Sequence, residues 1–174
     1  MDEALWVFGY GSLIWRPAFQ YVEKRLATVD GYERRFCQAS HDHRGTPEAP
    51  GRVVTLAQSA GSVCAGFAYK LGDDADAVLE YLEVREQDGY TRLSVPLMFE
   101  HDEKGVGITW IAAEGNPSWR ANESIEQVAR LIATRRGPSG TNSEYLFELE
   151  RALLSIHIED PYVKTLAKKV RDLL

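Results

Sequence analysis

The rhythm of apolar and polar positions changes along the chain. Up to Leu71 the apolar residues fall in short runs and alternations of strand type. Leu5 to Gly9 is a short apolar run ending in Gly9-Tyr10-Gly11. Arg52 to Gln58 and Ser62 to Leu71 are β-rich runs joined by Ser59-Ala60-Gly61, the pattern of a hairpin. Thr91 to Glu100 and Gly107 to Ala113 repeat that pattern around Lys104-Gly105. Between the two pairs, Ala75, Val78, Leu79 and Leu82 recur at helical spacing and predict a helix from Asp73 to about Glu86.

The last fifty or so residues read as helices. Ser124 with Gln127, and Thr141 with Glu144, have the spacing of capping boxes. Gly137-Pro138-Ser139-Gly140 separates two helical runs, and Asp160-Pro161 opens a final short helix. Strands first and helices afterwards predict an α+β domain, a small mixed β-barrel or curled sheet with flanking helices and a helical C-terminal part. Periodicity alone does not distinguish a closed barrel from an open, curled sheet. Neither repeats nor a linker interrupt the 174 residues, which are read as one domain, 1–174.

The carboxylate of Glu86 is the most informative side chain. Advancing about 100° per residue places it in the middle of the apolar face of the helix. Asp76 and Glu80 point away by the same geometry. An inward carboxylate at a helix C-terminus is disfavoured by desolvation and by the partial negative charge of that end. Both raise its pKa toward the range that proton transfer near neutral pH requires. A competing reading has the helix fray before Glu86, leaving a surface residue or an ion pair with Arg85 or Arg92. Glu83, toward the edge of the apolar face, is the lesser candidate.

Phe8-Gly9-Tyr10-Gly11-Ser12-Leu13 follows the first strand. It lacks the third glycine of a dinucleotide fingerprint, since Ile14 stands there, and it has no Gly-Lys-Ser/Thr. Leu13 after Ser12 excludes the nucleophile elbow of hydrolases. Two readings remain: a tight turn at a strand end, or a nest of backbone N–H groups for an anion or a developing oxyanion. Ser12 and His43 form a conceivable nucleophilic pair without an evident third residue. Arg44 and Arg52 offer forks for a substrate carboxylate or, equally, salt bridges. The four tryptophans read as core or pocket wall.

A net charge of −6 argues against nucleic acid and anionic membranes as partners. His41-Asp42-His43 suggests metal ligands by composition, but neither Cys nor Glu stands at zinc-like spacing, so no metal is expected. Cys37 and Cys64 form no C-x-x-C pair and read as reduced, mostly buried thiols of a cytoplasmic protein. The start, MDEALWVFGYG, has neither a basic region nor a long apolar run, so no signal peptide is expected, and no stretch approaches the length of a membrane span.

Four ordered segments together resemble the ChaC family of γ-glutamylcyclotransferases: WVFGYGSLIW at 6–15, DHRGTPEAPGRVVTL at 42–56, YLEVREQDGY at 81–90 and GPSGTNSEYLFEL at 137–149. The resemblance extends from about Trp6 over nearly the whole chain. It implies a small β-barrel with flanking helices, and cleavage of glutathione to 5-oxoproline and cysteinylglycine without metal or organic cofactor. The family's catalytic glutamate lies in a segment R-E-K-G-G-Y, matched here by Arg85-Glu86-Gln87-Asp88-Gly89-Tyr90, so the resemblance also selects Glu86. Its substrate loop matches Gly9, Tyr10, Gly11, Ser12, Leu13 and Ile14. Arg44, Tyr90 and Tyr145 complete the expected substrate-binding set; the tyrosines read either as hydrogen-bond donors in the pocket or as core packing with a satisfied hydroxyl. Gln87-Asp88 departs from the family's Lys-Gly, which removes a positive charge and adds a negative one near Glu86. If that glycine requires φ > 0, Asp tolerates it better than most residues. Oligomeric state and the exact γ-glutamyl substrate stay open at this stage.

Overall fold

The computed structural model describes residues 4–174, which fall into two compact units. The expectation about the chain start rests partly on residues 1–3, outside the described part.

The first unit comprises the described residues through Glu33, together with Leu56–Ala113. It holds β1 (Trp6–Gly9), α1 (Ala75–Arg85), β4 (Tyr90–Met98) and β5 (Lys104–Ala112). Two long strands, β2 (Glu23–Ser40) and β3 (Gly51–Lys70), contribute one part each to this unit and one part each to the other. The strands form a closed barrel in the order β1-β3-β2-β4-β5, settling the choice between barrel and open sheet. Closure is made by a parallel pair, Trp6 opposite Gly107 and Val7 opposite Ile108, in an otherwise antiparallel set of recorded pairings. All four residues of β1 are buried, as expected for a strand covered on both faces. Val95 and Leu97 of β4 alternate with the exposed Ser94 and Pro96, the period of a strand covered on one side. Helix α1 starts two residues later than its pattern predicts and buries Val78, Leu79 and Leu82, leaving Asp76 and Glu80 exposed.

Two local expectations are corrected. Ser59-Ala60-Gly61 does not reverse the chain: Gly51–Lys70 is a single 20-residue strand. Gly61 takes φ +82 inside it, a left-handed conformation that glycine adopts without a Cβ penalty, so the strand absorbs the glycine in place. The β4/β5 hairpin exists, but Lys104 and Gly105 are strand residues opposite Met98 and Leu97. The reversal lies at 99–103, where His101 and Asp102 take φ +59 and +58.

The second unit comprises Arg34–Thr55 and Glu114–Leu174, with α2 (Ile125–Thr134), β6 (Arg136–Gly137), β7 (Gly140–Thr141), α3 (Asn142–Ser155) and α4 (Pro161–Arg171). The capping box at Ser124 is complete: its Oγ accepts from the Gln127 N–H at 3.2 Å and its N–H donates to Gln127 Oε1 at 2.8 Å. At Thr141 only half a box forms. Its hydroxyl accepts from the Glu144 N–H, while the Glu144 carboxylate accepts from Arg44. The Gly137–Gly140 separator is a two-stranded turn, β6 against β7. Asp160 caps α4 through the Val163 N–H and accepts from Arg34 Nη1 at 3.1 Å. Fully buried Asn142 bridges α3 to β3, accepting from the Arg52 N–H at 2.7 Å and donating to the Arg52 carbonyl at 2.8 Å. Arg52 forks onto Glu123 at 2.9 and 2.6 Å. Cys37 and Cys64 are buried and not joined by a disulfide, and burial pushes the Cys37 thiol up to about 11, so it stays protonated near neutral pH. Among the described residues no helix is long and apolar enough to cross a membrane.

Candidate active site

The site grows from the end of β1. Gly9 is buried there, and a Cβ on it would stand 2.8 Å from Leu13 Cβ and 3.4 Å from the Tyr69 ring, so only glycine lets the chain fold back so closely. A single 3-10 turn follows over Ser12–Ile14. Its first internal bond runs from the Ile14 N–H to the Gly11 carbonyl at 2.9 Å. The N–H groups of Ser12 and Leu13 precede that bond, as the leading donors of any helical turn do.

Three side chains fasten this loop. The Tyr10 hydroxyl donates to the Trp110 carbonyl of β5 at 2.6 Å. The Tyr69 hydroxyl donates to the Leu13 carbonyl, also at 2.6 Å. Burial first, and neighbouring Tyr21 second, push the Tyr69 hydroxyl up, so it remains a donor at any working pH. Arg85 donates to Ser12 Oγ at 3.3 Å and to the Pro17 carbonyl at 3.0 Å.

Glu86 is the C-cap of α1, its N–H bonded to the Leu82 carbonyl at 2.9 Å. Its side chain is 19% exposed and has Arg85 Nε at 4.0 Å. The inward-facing reading and the Arg85 ion pair therefore both hold, while Arg92 pairs instead with Glu83 at 3.7 Å. After the cap, Asp88 takes φ +68 and Gly89 φ +92. The turn that leaves α1 is left-handed at both positions, and Asp at the first meets that requirement at modest cost.

Glu86 lines a pocket with Phe8, Tyr10, Gly11, Ser12, Leu13, Thr109 and Trp110, all within the first unit. The two features singled out in the sequence, the carboxylate and the glycine loop, thus line one pocket although more than seventy positions separate Leu13 from Glu86. Gly9 ends β1 and Ile14 ends the turn, next in sequence to the lining residues Phe8, Tyr10 and Leu13. Tyr90 opens β4 opposite Ala112 and is half-buried. Arg44 and Tyr145 belong to the second unit. There the Arg44 guanidinium donates to the Thr141 carbonyl and to Glu144 Oε2, both at 3.1 Å, 5.5 Å from the Tyr145 ring centre. The Tyr145 hydroxyl accepts from the Val54 N–H at 3.4 Å. Ser12 Oγ accepts from Arg85, and His43 Nδ1 lies 3.2 Å from Ser139 Oγ.

Sequence reasoning missed Thr109, Tyr69 and Arg85 as parts of the site, named Phe8 only as the start of the glycine segment, and read Trp110 as core or pocket wall without placing it at this pocket. Phe8 and Thr109 are joined by the Thr109 hydroxyl donating to the Phe8 carbonyl at 2.9 Å, a contact that exists only because β1 lies beside β5. The buried Trp110 indole N–H has no hydrogen-bond partner among the described residues, which leaves a donor on a residue lining the pocket. Arg85 alone carried a local signal, as the cation next to Glu86.

The loop's support is testable by itself. Tyr69→Phe removes the bond to the Leu13 carbonyl and leaves that carbonyl buried. The expected cost is about 1–3 kcal/mol, read as a melting temperature lower by roughly 2–10 °C.

A half-buried carboxylate thus lines one pocket with a turn that leads with backbone N–H groups. The profile of the ChaC-like protein family matches residues 5–173, and the chain belongs to that family. Among its relatives is the γ-glutamylcyclotransferase 2-1 of Arabidopsis thaliana, 42% identical over 96% of this chain and 82% of that protein. The glutathione-specific γ-glutamylcyclotransferase of Schizosaccharomyces pombe is 37% identical over 98% of this chain and 94% of its own. A crystal structure of the yeast γ-glutamylcyclotransferase specific to glutathione superposes with a TM-score of 0.91 at 32% identity, covering 98% of this chain and 97% of that one.

Proposed function

We propose that the protein is a glutathione-specific γ-glutamylcyclotransferase, releasing 5-oxoproline and cysteinylglycine. The observation that carries this reading is the meeting of Glu86 with the Tyr10–Leu13 loop in one pocket of a chain whose relatives bear that name.

The nucleophile belongs to the substrate. The α-amine of the γ-glutamyl group attacks its own γ-carbonyl carbon, a lactam C–N bond forms, and the amide bond to the cysteinyl nitrogen breaks. Neither water nor a protein nucleophile is consumed, and no cofactor is required by this balance. Near neutral pH the α-amine is mostly protonated, so a base must first remove a proton. Glu86 takes that proton and passes it to the departing cysteinyl nitrogen, while the second proton, lost by the attacking nitrogen as the lactam N–H forms, goes to solvent or to the released amine. The N–H groups of Ser12 and Leu13, and the loop Gly9–Ile14 that carries them, hold the substrate carboxylate or the tetrahedral oxyanion. By gripping the flexible chain in a folded, near-attack shape, the loop converts a slow cyclisation into a fast one. Tyr90, Tyr145 and Arg44 remain proposed substrate contacts, read from the side-chain chemistry of the sequence. The whole chain is read as one functional domain, acting on a small molecule in the cytoplasm.

Substrate choice is the finer part of the reading. With glutathione and γ-glutamyl-alanine assayed side by side, kcat/KM is expected to favour glutathione by at least about tenfold, the equivalent of one good contact to the cysteinylglycine part. Equal values would place the protein among cyclotransferases of broader γ-glutamyl range.

A further inference from the structure

We propose that Arg85 is a positioning residue of this site, which holds the glycine loop and Glu86 in a single register. The inference rests on the cyclotransferase reading and assigns a role within it.

Arg85 is the last residue of α1, directly before Glu86. Its guanidinium reaches the loop at two points, Ser12 Oγ at 3.3 Å and the Pro17 carbonyl at 3.0 Å, one on either side of the 3-10 turn's end. Its Nε lies 4.0 Å from Glu86 Oε1. One planar fork thus touches the turn that leads with N–H groups, the segment leaving that turn, and the carboxylate opposite. Without it, the loop is fastened to the barrel by Tyr10 and Tyr69, but neither of those contacts involves α1. Arg85 is therefore a side-chain tie between the helix end that carries Glu86 and the loop that Glu86 faces.

The geometry separates two ways in which Arg85 acts. At 4.0 Å and 19% exposure of both side chains, the ion pair with Glu86 is long and partly solvated, hence weak. The two hydrogen bonds from a rigid fork to the loop are the stronger link. The contacts of Arg85 are to Ser12 and Glu86, both of which line the pocket, so the proposed role acts through them.

The test uses Arg85→Met, Arg85→Lys, Ser12→Ala and the Arg85→Met/Ser12→Ala double variant, with wild type and Glu86→Gln alongside. Each is assayed for 5-oxoproline release from glutathione and for melting temperature. Arg85→Met is expected to lower kcat by roughly 10–100-fold, the penalty of a small misplacement of reacting groups, with a smaller change in KM. Arg85→Lys keeps the charge but lacks the fork that reaches both Ser12 and Pro17, so it recovers only part of the loss. The double variant is expected to lose less than the product of the single losses, because both remove the same tie. Wild-type kcat in Arg85→Met, or multiplicative losses in the double variant, would overturn the role. A lowered melting temperature with unchanged kcat would assign Arg85 to stability alone and overturn it too. If Arg85→Met does not fold, Arg85→Lys with undiminished kcat overturns the role by itself. A wild type silent on glutathione would instead overturn the cyclotransferase reading, and this role with it.

Discussion

Glu86→Gln is expected to fold as the wild type does and to lose kcat for 5-oxoproline release by about 10²–10⁴-fold, the usual contribution of a positioned general acid–base. The substitution is nearly isosteric. It leaves intact the bond from the residue 86 N–H to the Leu82 carbonyl, which ends α1. The apolar face of α1, Val78, Leu79 and Leu82, lies upstream of the change. What is removed is the capacity to take a proton from the substrate ammonium. An amide oxygen still accepts a hydrogen bond, so KM is expected to move much less than kcat. Circular dichroism and a melting curve establish the fold, and steady-state kinetics separate the two constants. Near-normal kcat in this variant would remove Glu86 from the chemistry and return attention to Glu83, which the structure pairs with Arg92 on a half-exposed surface.

Gly9→Ala carries the second-largest expected effect. The added Cβ would sit 2.8 Å from Leu13 Cβ, closer than carbon atoms approach without displacement, and 3.4 Å from the Tyr69 ring. Gly9 is bonded into the barrel as the partner of Phe67, whereas Leu13 belongs to a single turn, so the turn gives way. Its N–H groups then move relative to Glu86, and kcat/KM is expected to fall by roughly 10²-fold for a displacement on the order of 1 Å. Gly61→Ala is the matching control. Nothing lies within 4 Å of a Cβ there, but φ is +82, so the cost falls on backbone strain and stability rather than on the site. Loss of activity in Gly61→Ala comparable to that in Gly9→Ala would contradict the local argument.

The parts of this fold that were legible in the sequence are those with local causes. The spacing of Ala75, Val78, Leu79 and Leu82 placed α1 and turned Glu86 inward, because helical geometry alone sets which residues share a face. Ser124, Thr141 and Asp160 marked helix starts, because a cap needs only a side-chain oxygen near its own backbone. Asp88 departed from the family's glycine and was read as tolerating φ > 0, and φ there is +68. Errors arose where a local pattern has two outcomes. Ser59-Ala60-Gly61 looks the same whether a glycine with positive φ reverses a chain or is absorbed in a continuous strand. At the β4/β5 reversal the left-handed residues are His101 and Asp102, types that carry no strong turn signal, and the nearby Lys104-Gly105 misled.

The site divides along the same line. The loop and the carboxylate were each visible, one as a glycine pattern and the other as an ionisable group on an apolar face. Their shared pocket wall was not, since Thr109 and Trp110 reach it only once β1 pairs in parallel with β5 across about a hundred residues. Tyr69 likewise gave no signal, because a tyrosine in a β-rich run reads as core until its hydroxyl is seen on the Leu13 carbonyl.

The most direct test of the central claim is a product balance for glutathione incubated with the purified wild-type protein, quantifying 5-oxoproline, cysteinylglycine and free glutamate together. Intramolecular attack by the α-amine predicts 5-oxoproline and cysteinylglycine in equal amounts, with no glutamate above background. Glutamate in place of 5-oxoproline would mean that water is the nucleophile, and no turnover at all would exclude glutathione as the substrate; either result contradicts the account.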